Sequence, residues 1–187
     1  LAFVTRYAEV IGDPIAQSKS PAIHRFWIEK LGLNADYRAE HIDTHGLAEY
    51  LTSRRTDDDW HGCNVTMPHK QAIMPLLDRL EPLAKRVGAV NTVVKAADGK
   101  PVGRNTDVLG FIEPLTERFR QQHYFRMARI IGTGGAARAV VAGLANQGFT
   151  LVIAGRNPEK ARVLLDELDP GGEHHVAALD HFASPTD

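Results

Sequence analysis

Short apolar runs alternate with segments of helical spacing along this chain, and glycine, proline or polar turn residues mark almost every change. "RYAEVIG" predicts a first strand, ended by the turn-forming "GDP". "SKSPAIHRFWIEKLG" predicts a helix with Ser20 as N-cap, Pro21 at the first helical position and Gly32 as its stop, with Phe26 and Trp27 expected in the core. "ADYRAEHI" alternates as a second strand, "THGLAEYLTSRR" reads as an amphipathic helix, and a third strand follows the polar turn "TDDDW". Short helices are expected over "KQAIMPLLDRL" and "PLAKRVG", and then two strands joined at Asp98-Gly99, a strong hairpin signal.

Past Asp107 the character changes. "VLGFIEPLTERFRQQ" predicts a helix kinked at Pro114. "ARIIGTGGAARAVVAGLANQGFTLVIAGRNPEKARVLLDEL" then reads strand, glycine turn, long helix, strand, turn, helix, with His174 and His175 in a polar loop beyond it. The alternation is that of an α/β protein, with a domain boundary near Asp107.

Composition narrows the function classes. The 187 residues carry a net charge of -1, with 22 basic and 23 acidic side chains, so no global field draws the chain to nucleic acid or to anionic membrane. No apolar run reaches the roughly 20 residues of a membrane span, and the first residues lack a signal peptide's apolar stretch. The single cysteine, Cys63, excludes an intramolecular disulfide and fits a cytoplasmic setting. Cys63 is expected to pack as a small buried residue, His24 to serve packing or hydrogen bonding, and His41 and His45 not to form a metal site.

"HGCNVTMPHKQA" leaves a strand by way of Asn64, Thr66 and Pro68 and places the amine of Lys70 just beyond. A solvated surface loop would explain the lysine alone. A catalytic site at the carboxyl end of a strand would explain the whole run. Three further polar clusters, Ser18-Lys19-Ser20, Asn91-Thr92 and Asn105-Thr106-Asp107, also fall at strand ends or in the loops after them, where open α/β sheets place ligand groups.

Gly132, Gly134 and Ala137 fit G-x-G-x-x-G/A between an apolar strand and a small-residue helix, the context that dinucleotide binding requires. Backbone N–H groups over Gly132, Thr133, Gly134, Gly135, Ala136 and Ala137 could approach a pyrophosphate there. The next strand ends in "AGRNPEK", with Arg156, Asn157 and Lys160 where an NAD site would carry an acid. An arginine can form bidentate, charge-assisted hydrogen bonds with a 2′-phosphate, so NADP is favoured over NAD.

Taken in order, "SKSPAIH", "NVTMPHK", "GAVNTVV", "GRNTD" and "GTGGAARA" resemble the shikimate dehydrogenase family over almost the whole chain. The resemblance implies an N-terminal α/β substrate-binding domain over 1–107, followed by a Rossmann-like NADP-binding domain with a connector helix over 108–187. It implies a monomer or homodimer that reduces 3-dehydroshikimate to shikimate reversibly in aromatic amino-acid biosynthesis. Ser18 and Ser20 would bind the substrate carboxylate, and Asn64, Thr66, Asn91 and Asp107 the ring hydroxyls. Lys70 and Asp107 would form the catalytic pair; which of them moves the proton stays open. A quinate/shikimate dehydrogenase is the near alternative, although Ser20 rather than threonine resembles the shikimate-selective members. A non-catalytic ligand-binding fragment of the fold is the distant one. The chain departs from the family in Val108, where glycine is frequent. It opens on Leu1 and stops at "HFASPTD", before the final helices that bring a glutamine to the family's substrate site, so a truncated or incompletely represented enzyme is expected.

Overall fold

The computed structural model describes residues 6–121, 126–145 and 147–182. Its chain separates into two compact units, 1–105 and 106–187.

The first unit runs β1 (Arg6–Gly12), α1 (Ser20–Lys30), β2 (Ala35–His41), α2 (Leu47–Arg55), β3 (Trp60–Val65), α3 (His69–Ala72), a 3-10 turn (Met74–Leu76), β4 (Arg79–Leu80), α4 (Pro82–Val87), β5 (Thr92–Lys95) and β6 (Pro101–Arg104). Its six strands form one sheet in the order β2-β1-β3-β5-β6-β4. β1 pairs in parallel with β2 and β3, whereas β5 runs antiparallel to both β3 and β6. The hairpin between β5 and β6 turns at Gly99, whose φ of 78° suits glycine.

Alternation along the strands sorts side chains to two faces. Tyr7, Ile11, Cys63, Val65 and Val93 pack with Leu47, Tyr50, Leu51, Trp60 and Ile73 into the main core. That core also holds the carboxylate of Glu9, which is 1% exposed and accepts from Tyr50 Oη at 2.7 Å and from both Nε and Nη2 of Arg54 at 3.0 Å. Satisfied in this way by a bidentate cation and a hydroxyl, a buried carboxylate is tolerated. The opposite face carries the smaller cluster of Val10, Ile15 and Tyr37, with Ala8 and Ile28 against it.

Four sequence expectations are corrected. Phe26 and Trp27 are more than half exposed rather than core. With about 100° of turn per residue, the His24–Ile28 pair faces the sheet, and residues 26 and 27 point off that line. Ser20 is the first residue of α1; Lys19 holds the cap position, and no side chain caps the helix. The predicted helix over 70–80 breaks after Ala72 and ends in β4, two residues drawn into the sheet by pairing with Val102 and Gly103. His174 and His175 lie on a strand, not in a loop.

The second unit runs α5 (Asp107–Ile112), a 3-10 turn (Glu113–Leu115), α6 (Thr116–Gln121), β7 (Met127–Ile131), α7 (Gly135–Ala145), β8 (Thr150–Ala154), α8 (Pro158–Leu168), β9 (His174–Ala177) and α9 (Leu179–Phe182). β7, β8 and β9 form a parallel sheet in that order. The expected kink falls at Pro114, where the helix tightens to 3-10 geometry. Gly143 lets α5 approach α7: a Cβ there would stand 2.8 Å from Ile112 Cγ1. Among the described residues no helix is long and apolar enough to cross a membrane.

Candidate active site

Six of the seven expected substrate residues gather at the carboxyl edge of the first sheet. Ser18 lies in the loop from β1 into α1 and Ser20 opens α1, held by Ser18 N–H to Ile15 O at 2.9 Å and by Ser20 N–H to Ser18 Oγ at 3.3 Å. Asn64 stands near the end of β3 and Thr66 just beyond it. The loops after β1 and β3 are stitched together: Thr66 N–H donates to Ile11 O and Asp13 N–H to Met67 O, each at 3.0 Å. Gly12 permits this approach, since a Cβ on it would meet Thr66 Cγ2 at 2.5 Å and Met67 O at 2.9 Å.

Lys70 is half-buried in the four-residue α3. Its neighbour His69 is fully buried, with Nε2 2.6 Å from Ile42 O, and so pins the lysine's helix to the end of β2. On the other side Val90 N–H donates to Lys70 O at 2.7 Å. Asn91 follows, 9% exposed, its N–H bonded to Arg104 O and its carbonyl to Val65 N–H. Asn105, in the fourth polar cluster, is buried and donates from Nδ2 to Ala89 O at 2.9 Å, a tie within the first unit. Asp107, the seventh residue, opens α5 in the second unit, and Thr106 holds the cap position before it.

A cavity of about 880 Å³ opens on the α1 side of the first sheet, framed by His24, Ile28, Tyr37, Asn64, Thr92 and Val94. Of the seven expected substrate residues only Asn64 lines it, and Arg6, Asn34 and His61 extend it toward the amino ends of the strands. Tyr37 and Thr92 are not among the expected substrate residues. Tyr37 reads as an ordinary core aromatic on an alternating strand, and only the register of the sheet reveals its polar partner. Cys63 is buried and free, and burial pushes its thiol up to about 12, which makes it a packing residue rather than a nucleophile. Among the described residues no group of three or more His, Cys, Asp or Glu could hold a metal; His41 instead meets Asp13 at 2.8 Å.

In the second unit the glycine turn between β7 and α7 has Gly132 at φ 109°, with its N–H on Ala154 O at 2.8 Å. Thr133 stands close to the tip of β8, where a Cβ on Gly155 would meet Thr133 Cγ2 at 3.2 Å. A Cβ added to Gly134 would point into open space, and Gly135, Ala136 and Ala137 form the first turn of α7. Asn157 caps α8 by accepting from Lys160 N–H at 3.1 Å. Arg156 and Lys160 are exposed and make no ion pair among the described residues. Backbone donors at a helix start and two unpaired cations at the next strand's tip fit a nucleotide bearing an extra phosphate.

Residues 10–93 match the family described as the shikimate dehydrogenase substrate binding domain, and residues 128–182 the family described as NADP oxidoreductase, coenzyme F420-dependent. The shikimate 5-dehydrogenase of Thermus thermophilus, solved in complex with shikimate, superposes with a TM-score of 0.80 at 32% identity over 98% of this chain and 73% of its own. The chain belongs to the shikimate dehydrogenase family. Another member, the shikimate dehydrogenase (NADP(+)) of Sphingopyxis alaskensis, is 46% identical over 184 residues, 98% of this chain and 65% of that protein. The Aquifex aeolicus shikimate dehydrogenase structure gives a TM-score of 0.83 at 35% identity, covering 95% of this chain and 64% of its own. The chain thus spans somewhat less than two thirds of the length of several family members that it matches.

Proposed function

We propose that this chain carries the substrate and nucleotide machinery of an NADP-dependent shikimate dehydrogenase, which interconverts 3-dehydroshikimate and shikimate. The observation that carries the reading is the gathering of Ser18, Ser20, Asn64, Thr66, Lys70 and Asn91 at one sheet edge, in a chain of this family. The two serine hydroxyls hold the substrate carboxylate; Asn64, Thr66, Asn91 and Asp107 hold the ring hydroxyls. The substrate groups fall within residues 1–107 and the nucleotide groups within 108–187. Gly132, Thr133, Gly134, Gly135, Ala136 and Ala137 face the pyrophosphate, while Arg156, Asn157 and Lys160 hold the adenosine ribose and its 2′-phosphate.

Bound NADP(H) supplies or accepts the hydride, and the protein manages the proton. In reduction the Lys70 ammonium polarises the ketone and donates its proton to the oxygen that becomes the hydroxyl. In oxidation the Lys70 amine takes that proton back. Asp107 is the second member of the catalytic pair and orients a ring hydroxyl. The protein works in the cytoplasm as a monomer or homodimer on a small-molecule substrate.

The test is NADPH formation from shikimate and from quinate on one sample. A higher kcat/KM for shikimate is expected. Equal or better use of quinate, whose extra hydroxyl sits beside the carboxylate that Ser18 and Ser20 would hold, would replace the assignment with a quinate/shikimate dehydrogenase. Turnover of neither would leave a ligand-binding member of the fold.

A further inference from the structure

A single hydrogen-bonded chain crosses the cavity face of the first sheet. Tyr37 Oη donates to Asn64 Oδ1 at 2.6 Å, Asn64 Nδ2 donates to Thr92 Oγ1 at 3.3 Å, and Thr92 Oγ1 donates to Asn91 Oδ1 at 3.1 Å. The sheet register explains how a side chain on β2 reaches one on β3. Tyr37 pairs with Ala8 and Asn64 with Val10, so the tyrosine must pass diagonally over β1. Ala8, a small residue packed against Tyr37 on that face, leaves room for it. On its other side the Tyr37 ring stacks on His24, with centroids 3.9 Å apart and planes 8° from parallel, and His24 Nδ1 lies 2.8 Å from Ser20 O. The series therefore runs from Ser20, at the start of α1, to Thr92 and Asn91 at the start of β5.

We propose that Tyr37 is a positioning residue, which sets the orientation of the Asn64 and Asn91 amides through this chain. An asparagine amide can turn over, exchanging its oxygen for its nitrogen at nearly equal steric cost. Tyr37 resists the exchange. Its hydroxyl is buried and stays protonated, because burial raises its pKa above the ordinary phenol value, with Cys63 and Glu9 adding to the rise. It delivers its one proton to Asn64 Oδ1. Asn64 then gives one N–H to Thr92 and keeps the second, so it meets a ligand as a donor. Thr92, already accepting, spends its own proton on Asn91 Oδ1 and fixes that amide as well. The inference rests on the proposed reaction for its consequence: substrate oxygens must accept from Asn64, as hydroxyl groups of the ring can.

Two readouts test it. In the ligand-free protein, Tyr37→Phe keeps the ring and its stack but removes the proton donor. The side-chain amide NMR resonances of both Asn64 and Asn91 are expected to move, while that of Asn157 in the second unit holds. In turnover, KM for shikimate is expected to rise about tenfold, with kcat within about twofold and KM for NADP+ unchanged. Thr92→Val cuts the chain at its second link and serves if Tyr37→Phe fails to fold; the double variant should raise KM no more than the worse single variant. Unmoved Asn91 resonances, or strictly additive effects on KM, would overturn the proposal. A wild-type protein that does not oxidise shikimate would overturn the reaction instead, and the NMR result would still decide the positioning role.

Discussion

The backbone N–H of Val90 donates to the carbonyl of Lys70 at 2.7 Å, which joins the lysine's short helix to the strand that carries Thr92. With His69 fastened to Ile42 O, the lysine's backbone is fixed on two sides by groups outside its own helix. A helix of four residues could not hold that geometry alone. The frame that presents the side chain is thus held by backbone bonds and by the neighbouring imidazole.

The frame itself depends on Gly12. Gly12→Ala would drive a methyl group into Thr66 Cγ2 and the carbonyl of Met67, and the latter is backbone that cannot rotate away. A loss of about 2 kcal/mol of stability is expected by chemical denaturation, within the usual cost of overpacking. KM for shikimate should rise as well, because both site loops must part. A variant as stable as the parent would contradict the close stitching of the two loops.

Arg156→Asp replaces an unpaired surface cation with an anion. Losing charge-assisted hydrogen bonds to a 2′-phosphate should raise KM for NADP+ by about tenfold to a hundredfold. KM for NAD+ should change little or fall. Steady-state kinetics with both nucleotides checks this, and parallel changes would remove Arg156 from the cofactor site.

Arg54→Met would leave the Glu9 carboxylate in the main core without its cation. Breaking one partner of a buried pair costs about 3–5 kcal/mol; Arg54 keeps some exposure, so the lower end is expected. Adding Glu9→Gln should restore part of that loss in a urea titration, since a neutral amide replaces the stranded charge. No recovery would mean that packing, not charge, holds this region.

Tyr7 Oη donates to Asp57 Oδ2 at 2.5 Å, and this bond, with backbone N–H groups of Asp59 and Trp60 and the Arg54 charge behind it, holds the Asp57 carboxyl below its ordinary range. A carboxyl lowered by folding adds stability above its unfolded value of about 3.9, and loses it as pH falls through the folded value. Tyr7→Phe should therefore be less stable by a constant margin at neutral pH, with the gap narrowing below about pH 4. Denaturation midpoints measured from pH 7 to pH 3 test this; a gap that widens in acid would contradict it.

Much of this was legible in the sequence because the decisive signals were local. The first strand, the Asp98-Gly99 hairpin, the break at Pro114 and the glycine turn at Gly132 each follow from neighbouring residues, and the polar clusters at strand ends stood out against apolar runs. What escaped was set by distant pairing. Tyr37 finds Asn64 at a separation of 27 residues, across a strand whose Ala8 leaves room. Arg79 and Leu80 are too few to signal a strand and become one only beside β6. The two polar histidines of β9 pair with β8 because Val176 and Ala177 continue the parallel sheet. Phe26 and Trp27 looked like core by residue type, whereas helix phase turned them outward.

Lys70→Ala bears most directly on the proposed reaction. Oxidation of shikimate by NADP+ should fall about a thousandfold in kcat, the scale of a lost general acid–base group, while the unfolding midpoint and KM for NADP+ stay near those of the parent. A variant that keeps most of its kcat would contradict the assignment of proton transfer to this lysine, and with it the reading of the sheet edge as a shikimate dehydrogenase site.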